Sequence, residues 1–421
     1  MDKISVIVSC PVDTYSGYGA RSRDLVKSLI KLEKYDVKVL SQRWGNTSFG
    51  YLKDHGEVEL LDSIVQRVEK QPDIWVQITV PNEFNKVGKY NIGITAGIET
   101  TACSPQWIEG CNRMDLVLTS SQHSKKVFET TKFDKADNSG KTIGALQLTS
   151  KVEVLFEGLE VSKFFKTKST FNLDSIKESF CFLFVGHWLQ GDFGQDRKNI
   201  SYTIKAFLET FKNKKDAPAL ILKTGLGTSS HMNTQVILDK INSVRSSVKG
   251  SLPNIYLIDG DMSDSELNHL YNHPSIKAMV SLTKGEGFGR PLLEFSAVGK
   301  PIIASNWSGH IDFLTQEFNV LVGGTLTQVH SSAVVQNVII PESSWFTPDD
   351  IEVGKAFKDV HKNYKKYSEL SKRQAYRTNK EFTLDNMTEL LGKILDENLP
   401  IFPKQVDLNL PSLTIPKLKL K

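Results

Sequence analysis

The chain has 421 residues, 39 % of them hydrophobic and 24 % charged, with a formal net charge of +4 and a sequence pI near 8.6. These are ordinary values for a soluble globular protein of two or three domains. The mild basicity suits an anionic ligand or partner without specifying one. No apolar run approaches the ~20 residues that cross a bilayer. The opening MDKISVIVSC lacks the regions of a secretion signal, and Cys10, Cys103, Cys111 and Cys181 form no CxxC. Together these features predict reduced thiols in a cytoplasmic protein rather than a disulfide framework.

In chain order, β-branched and apolar runs predict strands at 4–10, 37–41, 73–80, 90–95, 115–120 and 152–156, then at 180–186, 219–223, 254–259, 276–282 and 301–305. Several are apolar almost throughout, the pattern of parallel strands covered on both faces. Helical periodicity lies between them, as at 20–34, 231–248, 264–273 and 290–299, which predicts an α/β architecture. The alternation restarts after the polar, basic stretch 160–178. We therefore expect two doubly wound, Rossmann-like domains, 1–170 and 176–380, facing a cleft, with ligands beyond the carboxyl ends of the strands. An amphipathic helix at 383–399 follows, capped by Thr383. The tail 400–421 carries three prolines between Pro403 and Pro416 and reads as extended, basic chain; 404–421 can lie on a sheet edge, bind a partner or stay loose.

The densest chemical signal is KGEGFGRPLLEFSAVGKP, residues 284–301. Gly285, Gly287 and Gly289 follow a buried strand and precede Pro291, which suits the first turn of a helix. The segment reads strand, glycine turn, helix start. Such a start offers unpaired N–H groups and the positive end of a dipole to an anion, and the glycines admit a ligand close to the backbone. Glu286 and Glu294 are acceptors and suit hydroxyl donors, not phosphate. A ligand with phosphates in its middle and hydroxylated rings at both ends fits both demands: a nucleotide-sugar.

The stretch KGEGFGRPLLEFSAVGKPIIASNWSGHIDFL resembles the signature of glycosyltransferase family 4, a retaining family with the GT-B fold. It shares the E-x7-E motif, the following G-x-P strand and the glycine turn at Ser308-Gly309. The resemblance implies a GT-B fold whose C-terminal helix returns to the N-terminal domain. It implies that Glu286 contacts donor-sugar hydroxyls, that Glu294 contacts the ribose, and that amides around Gly287, Phe288 and Gly289 hold the sugar and diphosphate. In FLFVGHWLQGDFGQDRKNI it implies that Gly186 and Lys198 grip the diphosphate. His187 stands where the family has arginine, so Arg197 is the candidate for that charge. Two cations are what a pyrophosphate leaving group needs as its bond breaks. The resemblance also sets the loop with Gly17 and Gly19 against the donor diphosphate, and has Glu99 and Thr100 face the acceptor side of the cleft. Lys223, ending a buried strand, can reach the phosphates or stand in solvent. The DxD at Asp259-Gly260-Asp261 falls in a base-side loop, and the family works without metal, so no metal site is expected.

These readings imply a retaining, metal-independent glycosyltransferase that takes a UDP- or GDP-sugar as substrate and needs no cofactor. The acceptor stays open between a saccharide, a lipid-linked glycan and a hydroxymethylated base of phage DNA, since 90–128 also resembles phage-encoded transferases. For an extruded base, Trp44, Trp75 and Trp107 are the aromatic candidates. Arg23, Lys27, Lys31 and Lys34 share one stripe of helix 20–34 and, with the tail, can meet an anionic surface or remain a solvated face. The alternatives are a nucleotide-sugar epimerase on the same fold and a non-catalytic nucleic-acid-binding protein.

Overall fold

The computed structural model describes residues 3–137, 139–227 and 230–402; the predicted tail 404–421 lies outside the described residues. The first half runs β1 (Ile4–Cys10), α1 (Gly17–Lys31), β2 (Tyr35–Ser41), α2 (Tyr51–Asp54), α3 (Val58–Asp62), β3 (Ile74–Ile78), β4 (Tyr90–Ile94), α4 (Pro105–Asn112), β5 (Leu116–Thr119), α5 (Gln122–Thr130), β6 (Lys132–Ala136), β7 (Thr142–Gln147) and β8 (Lys151–Val154). The second runs β9 (Cys181–Val185), α6 (Ile200–Phe211), β10 (Ala219–Lys223), α7 (His231–Ser246), β11 (Ile255–Ile258), α8 (Asp264–Asn272), β12 (Ile276–Ser281), α9 (Arg290–Ala297), β13 (Ile302–Ser305), β14 (Val320–Val322), β15 (Gly324–Gln328), β16 (Ser344–Pro348), α10 (Asp350–Lys362), α11 (Tyr364–Glu381) and α12 (Leu384–Asn398).

Two six-stranded sheets result, ordered β2-β1-β3-β4-β5-β8 and β11-β10-β9-β12-β13-β14. Every pairing within them is parallel. The unbroken apolar runs have a plain cause. In β9 and β10, Phe182, Phe184, Leu220 and Leu222 enter the cluster on one face, while Cys181, Leu183, Ala219 and Ile221 enter the cluster on the other. Side chains alternate across a strand, so a sheet covered on both faces is apolar at every position.

Two antiparallel hairpins, β6–β7 and β15–β16, lie outside these sheets. Neither was expected, because neither runs through a doubly covered core. All four cysteines are buried and unpaired. Among the described residues, no helix is long and apolar enough to cross a membrane.

The connection after β8 and the one into α12 cross side by side. Leu159 N donates to Phe382 O and Leu384 N donates to Leu159 O, each at 2.8 Å. Thr383 caps α12 by accepting from Asn386 N at 3.1 Å. That helix lies on α1: Met387, Leu391, Ile394 and Leu395 join the first sheet's core, and the Thr388 hydroxyl donates to Ser28 Oγ at 2.8 Å. The last described helix thus lies on the lobe where the chain began.

Candidate active site

A cavity of about 700 Å3 lies between the lobes, beyond the carboxyl ends of both sheets. Its walls bring together Gly17, Glu99, Gly186, Arg197, Lys198, Lys223, Glu286, Gly287, Phe288, Gly289 and Glu294, residues spread over 278 positions of sequence. Two predicted residues lie elsewhere. Thr100 is buried and turns its hydroxyl inward to donate to Ala102 O at 2.8 Å, because the chain reverses there into the Ser104 cap of α4. Gly19 packs inside the first turn of α1, where a Cβ would collide with Thr14 O. Of the three tryptophans, Trp44 and Trp107 line the cleft, while Trp75 is buried in β3.

Glu286 sits at the centre. Lys198 Nζ lies 2.5 Å from its Oε1 and Arg197 Nη1 3.3 Å from its Oε2; Arg197 also reaches Glu99 Oε1 at 3.6 Å. Burial alone would raise the Glu286 pKa, but the two cations hold it down at about 2. The two cations are held by the glycine turn itself. Lys284 N donates to Arg197 O at 2.8 Å, and Asn199, in a left-handed conformation, donates from its amide to Leu282 O at 3.0 Å. Glu286 N in turn donates to Ser308 Oγ at 2.9 Å; Ser308 adopts a φ of 77°, a conformation few non-glycine residues take. His187 is kept neutral by burial and by the nearby Lys198 and Lys223. It does not supply the arginine's charge, whereas Arg197 is a cation beside the same carboxylate.

Helix α9 begins at Gly289, with a φ of 98° and no side-chain cap. The amides of Phe288 and Gly289 donate to no acceptor among the described residues. The turn's other glycines serve a purpose not foreseen in the sequence. A Cβ on Gly285 would run into Glu99 O, and one on Gly287 into Ala96 O. Those two glycines let the backbones of the two lobes touch, so the turn binds lobe to lobe as well as presenting its N–H groups.

Glu294 is buried one helical turn on. It accepts from Arg290 Nε at 3.1 Å and from the Tyr271 hydroxyl at 3.3 Å. Burial, with Asp264 nearby, raises its pKa to about 8 in spite of Arg290. Arg290 also bonds Asp24 of α1 and lies 3.7 Å from Glu157. This inter-lobe cluster was not read from the sequence; its only signal was charged residues inside otherwise apolar helical stripes. Lys223 Nζ donates to Gly260 O at 2.6 Å, holding the strand end against the loop of Asp259 and Asp261. Those two carboxylates accept from Thr234 and, at 3.1 Å, from Ser48. No group of three or more His, Cys, Asp or Glu among the described residues is placed to hold a metal ion.

The basic stripe of α1 is neutralised within the fold. Arg23 is buried on Val12 O and Thr14 O, both at 2.9 Å. Lys27 pairs with Glu57 at 2.8 Å, Lys31 with Asp385 at 2.7 Å and Lys34 with Asp396 at 2.8 Å. Lys27, Lys31 and Lys34 thus face acids of this chain, two of them on α12, and the Lys31 and Lys34 pairs stand exposed to solvent.

Residues 250–336 match the protein family described as Glycosyl transferases group 1. No curated protein matches the chain. Solved structures do. Sucrose-phosphate synthase from Thermosynechococcus elongatus is 12 % identical with a TM-score of 0.60, over 94 % of this chain and 99 % of that one. A glycosyltransferase from Rickettsia africae is 12 % identical at 0.60, over 95 % and 99 %. Anabaena HepE, solved with UDP-glucose, is 12 % identical at 0.59, over 94 % and 100 %. At such identity the likeness establishes the fold, which is GT-B; the family match adds the coarse assignment of a glycosyltransferase.

Proposed function

We propose that the protein is a retaining glycosyltransferase that moves a sugar from a nucleotide diphosphate sugar to an acceptor hydroxyl. One observation carries this reading: Arg197 and Lys198 converge with Glu286 beside the uncapped start of α9, in a cleft between two parallel-sheet lobes. The donor diphosphate lies against the amides of Phe288 and Gly289, with Lys198 and Arg197 as counter-charges and Lys223 near the base-side loop. Glu286 accepts from sugar hydroxyls and Glu294 from the ribose. The solved complex of HepE with UDP-glucose, on the same fold, supports a uridine nucleotide as the first donor to try.

The protein's share of the chemistry is electrostatic. As the glycosidic bond breaks, negative charge grows on the diphosphate, and preplaced cations and amides stabilise it without reorganising. Binding the diphosphate draws Lys198 and Arg197 from Glu286, which frees that carboxylate for hydroxyls. Glu286 released in this way is committed to the sugar hydroxyls, and Glu99 lies 3.6 Å from Arg197. Neither is placed as a free nucleophile. The leaving phosphate oxygen therefore takes the acceptor's proton on the face from which it departs, and the configuration is retained. Closure of the lobes over the reacting groups excludes water and limits donor hydrolysis.

The test is a thermal-shift panel of UDP-glucose, UDP-N-acetylglucosamine and GDP-mannose, followed by product anomer analysis. The reading expects one donor to raise the melting temperature and the product to keep the donor's anomeric configuration. An inverted product would refute retention; interconversion of donor epimers without acceptor would make the protein an epimerase.

A further inference from the structure

Resting on the glycosyltransferase reading, we infer that the acceptor is an uncharged hydroxyl compound bearing an apolar group, such as an aryl or alkyl glycoside, and not a polyanion. Two independent features carry this. The first is a corner of the cleft built by both lobes. Val80 and Trp107 come from the first lobe; Val335, Val338 and Ile339 come from the segment between β15 and β16. Val338 packs onto the cluster that contains Trp107, and Val335 and Ile339 pair across a tight turn in front of Trp345.

The segment is pinned over the first lobe by hydrogen bonds. Thr101 N donates to Ser344 O and Ser344 N to Thr101 Oγ1, both at 2.8 Å, and Ser104 Oγ donates to Asn337 O at 3.0 Å. Its anchor points follow directly on Glu99, whose carboxylate faces Arg197 beside Glu286. The apolar corner therefore adjoins the acceptor side of the reacting groups. Apolar walls with few polar groups are what bind an apolar body and fix its orientation.

The second feature is charge. Nine acidic side chains and seven basic ones line the cleft among the described residues. Three of the basic ones, Arg197, Lys198 and Lys223, stand on the donor side. Lys27, Lys31 and Lys34, in and just after α1, each stand beside an acid of this chain, Glu57, Asp385 and Asp396, so the stripe carries little net positive charge. A nucleic acid or anionic polymer entering here finds cations interspersed with carboxylates and, among the described residues, no row of basic side chains that tracks a phosphate backbone. At about 700 Å3 the cavity is also of small-molecule size.

The experiment compares 4-nitrophenyl glucoside, octyl glucoside, free glucose and a duplex containing hydroxymethylcytosine as acceptors, with the donor selected by thermal shift. The expected result is that kcat/KM for at least one of the two glucosides exceeds that for glucose about tenfold or more, without transfer to the duplex. The first two acceptors separate a flat ring from a lipid-like chain as the apolar group. Val335→Asp and Val338→Asp should each raise KM for that glucoside about tenfold, while Val335→Ser gives a smaller rise in the same direction. The donor-induced melting shift reports that each variant is folded. Equal or faster transfer to glucose or to the duplex overturns the inference, as does an unchanged KM in a folded Val335→Asp variant. If no nucleotide-sugar shifts the wild-type protein, the underlying glycosyltransferase reading falls, and this one with it.

Discussion

Replacing Arg290 by methionine removes the one guanidinium that faces Asp24, Glu157 and Glu294, three carboxylates that are each less than a tenth exposed. Taking one partner from a buried ion pair costs about 3–5 kcal/mol, because the partner left behind is an uncompensated charge. The cost here falls toward the lower end. Arg21 is fully buried nearby, donates to Phe156 O at 2.7 Å, and still attracts Glu157 and Asp24. We therefore expect a loss of about 3 kcal/mol near pH 8. Acidification should recover part of it: Glu294, whose pKa lies at about 8 in the folded protein, carries a proton at pH 5 and no longer needs the guanidinium, so the deficit should be smaller at pH 5 than at pH 8. Denaturant unfolding of wild type and Arg290→Met at both pH values measures this directly. In a lobe of about 200 residues, 3 kcal/mol corresponds to roughly 6–12 °C in melting temperature. A deficit equal at pH 5 and pH 8, or below about 1 kcal/mol throughout, would refute the shared-cation account.

Lys198→Ala should lower kcat for transfer about 100- to 1,000-fold, the loss typical when one preplaced stabiliser of a developing oxyanion is removed, as read by single-turnover kinetics with saturating donor. Glu294→Gln should flatten the pH dependence of stability. The folded protein holds a proton on Glu294 up to about pH 8, while the unfolded chain releases it near 4.5, so wild-type stability falls as pH rises between those values; melting curves across that window distinguish the two proteins. Glu286 acts in the opposite sense. Its pKa of about 2 contributes stability at neutral pH that is lost as pH falls below about 4.5, and Glu286→Gln should abolish that acid-side loss. Gly287→Ala should force the lobes apart, because its methyl group meets Ala96 O; small-angle scattering should register a larger radius of gyration and thermal shift a weaker response to donor.

The strands were legible because their chemistry is local. A parallel strand covered on both faces is apolar at every position, as Cys181–Val185 shows. The glycine–glutamate turn was legible for a related reason: a left-handed glycine, a proline in the next helical turn and two acids are constraints of one short segment. What escaped is long-range. Arg290 stood in the quoted motif without a role, since nothing local says that Asp24, 266 residues earlier, lies against it. Lys31 and Lys34 stood in a stripe of the sequence, and their acids on α12 are more than 350 residues away. Gly285 and Gly287 were read as room for a ligand, whereas their neighbours are the carbonyls of the opposite lobe. The segment between β15 and β16 carries no strong periodicity, yet it supplies three side chains, Val335, Val338 and Ile339, to one corner of the cleft.

A crystal structure with a bound, non-hydrolysable UDP-sugar tests the central claim most directly. The account predicts the diphosphate on the amides of Phe288 and Gly289, Lys198 and Arg197 turned from Glu286 toward it, and the ribose hydroxyls on Glu294. A nucleotide bound elsewhere, with the Lys198–Glu286 pair still closed, would contradict it.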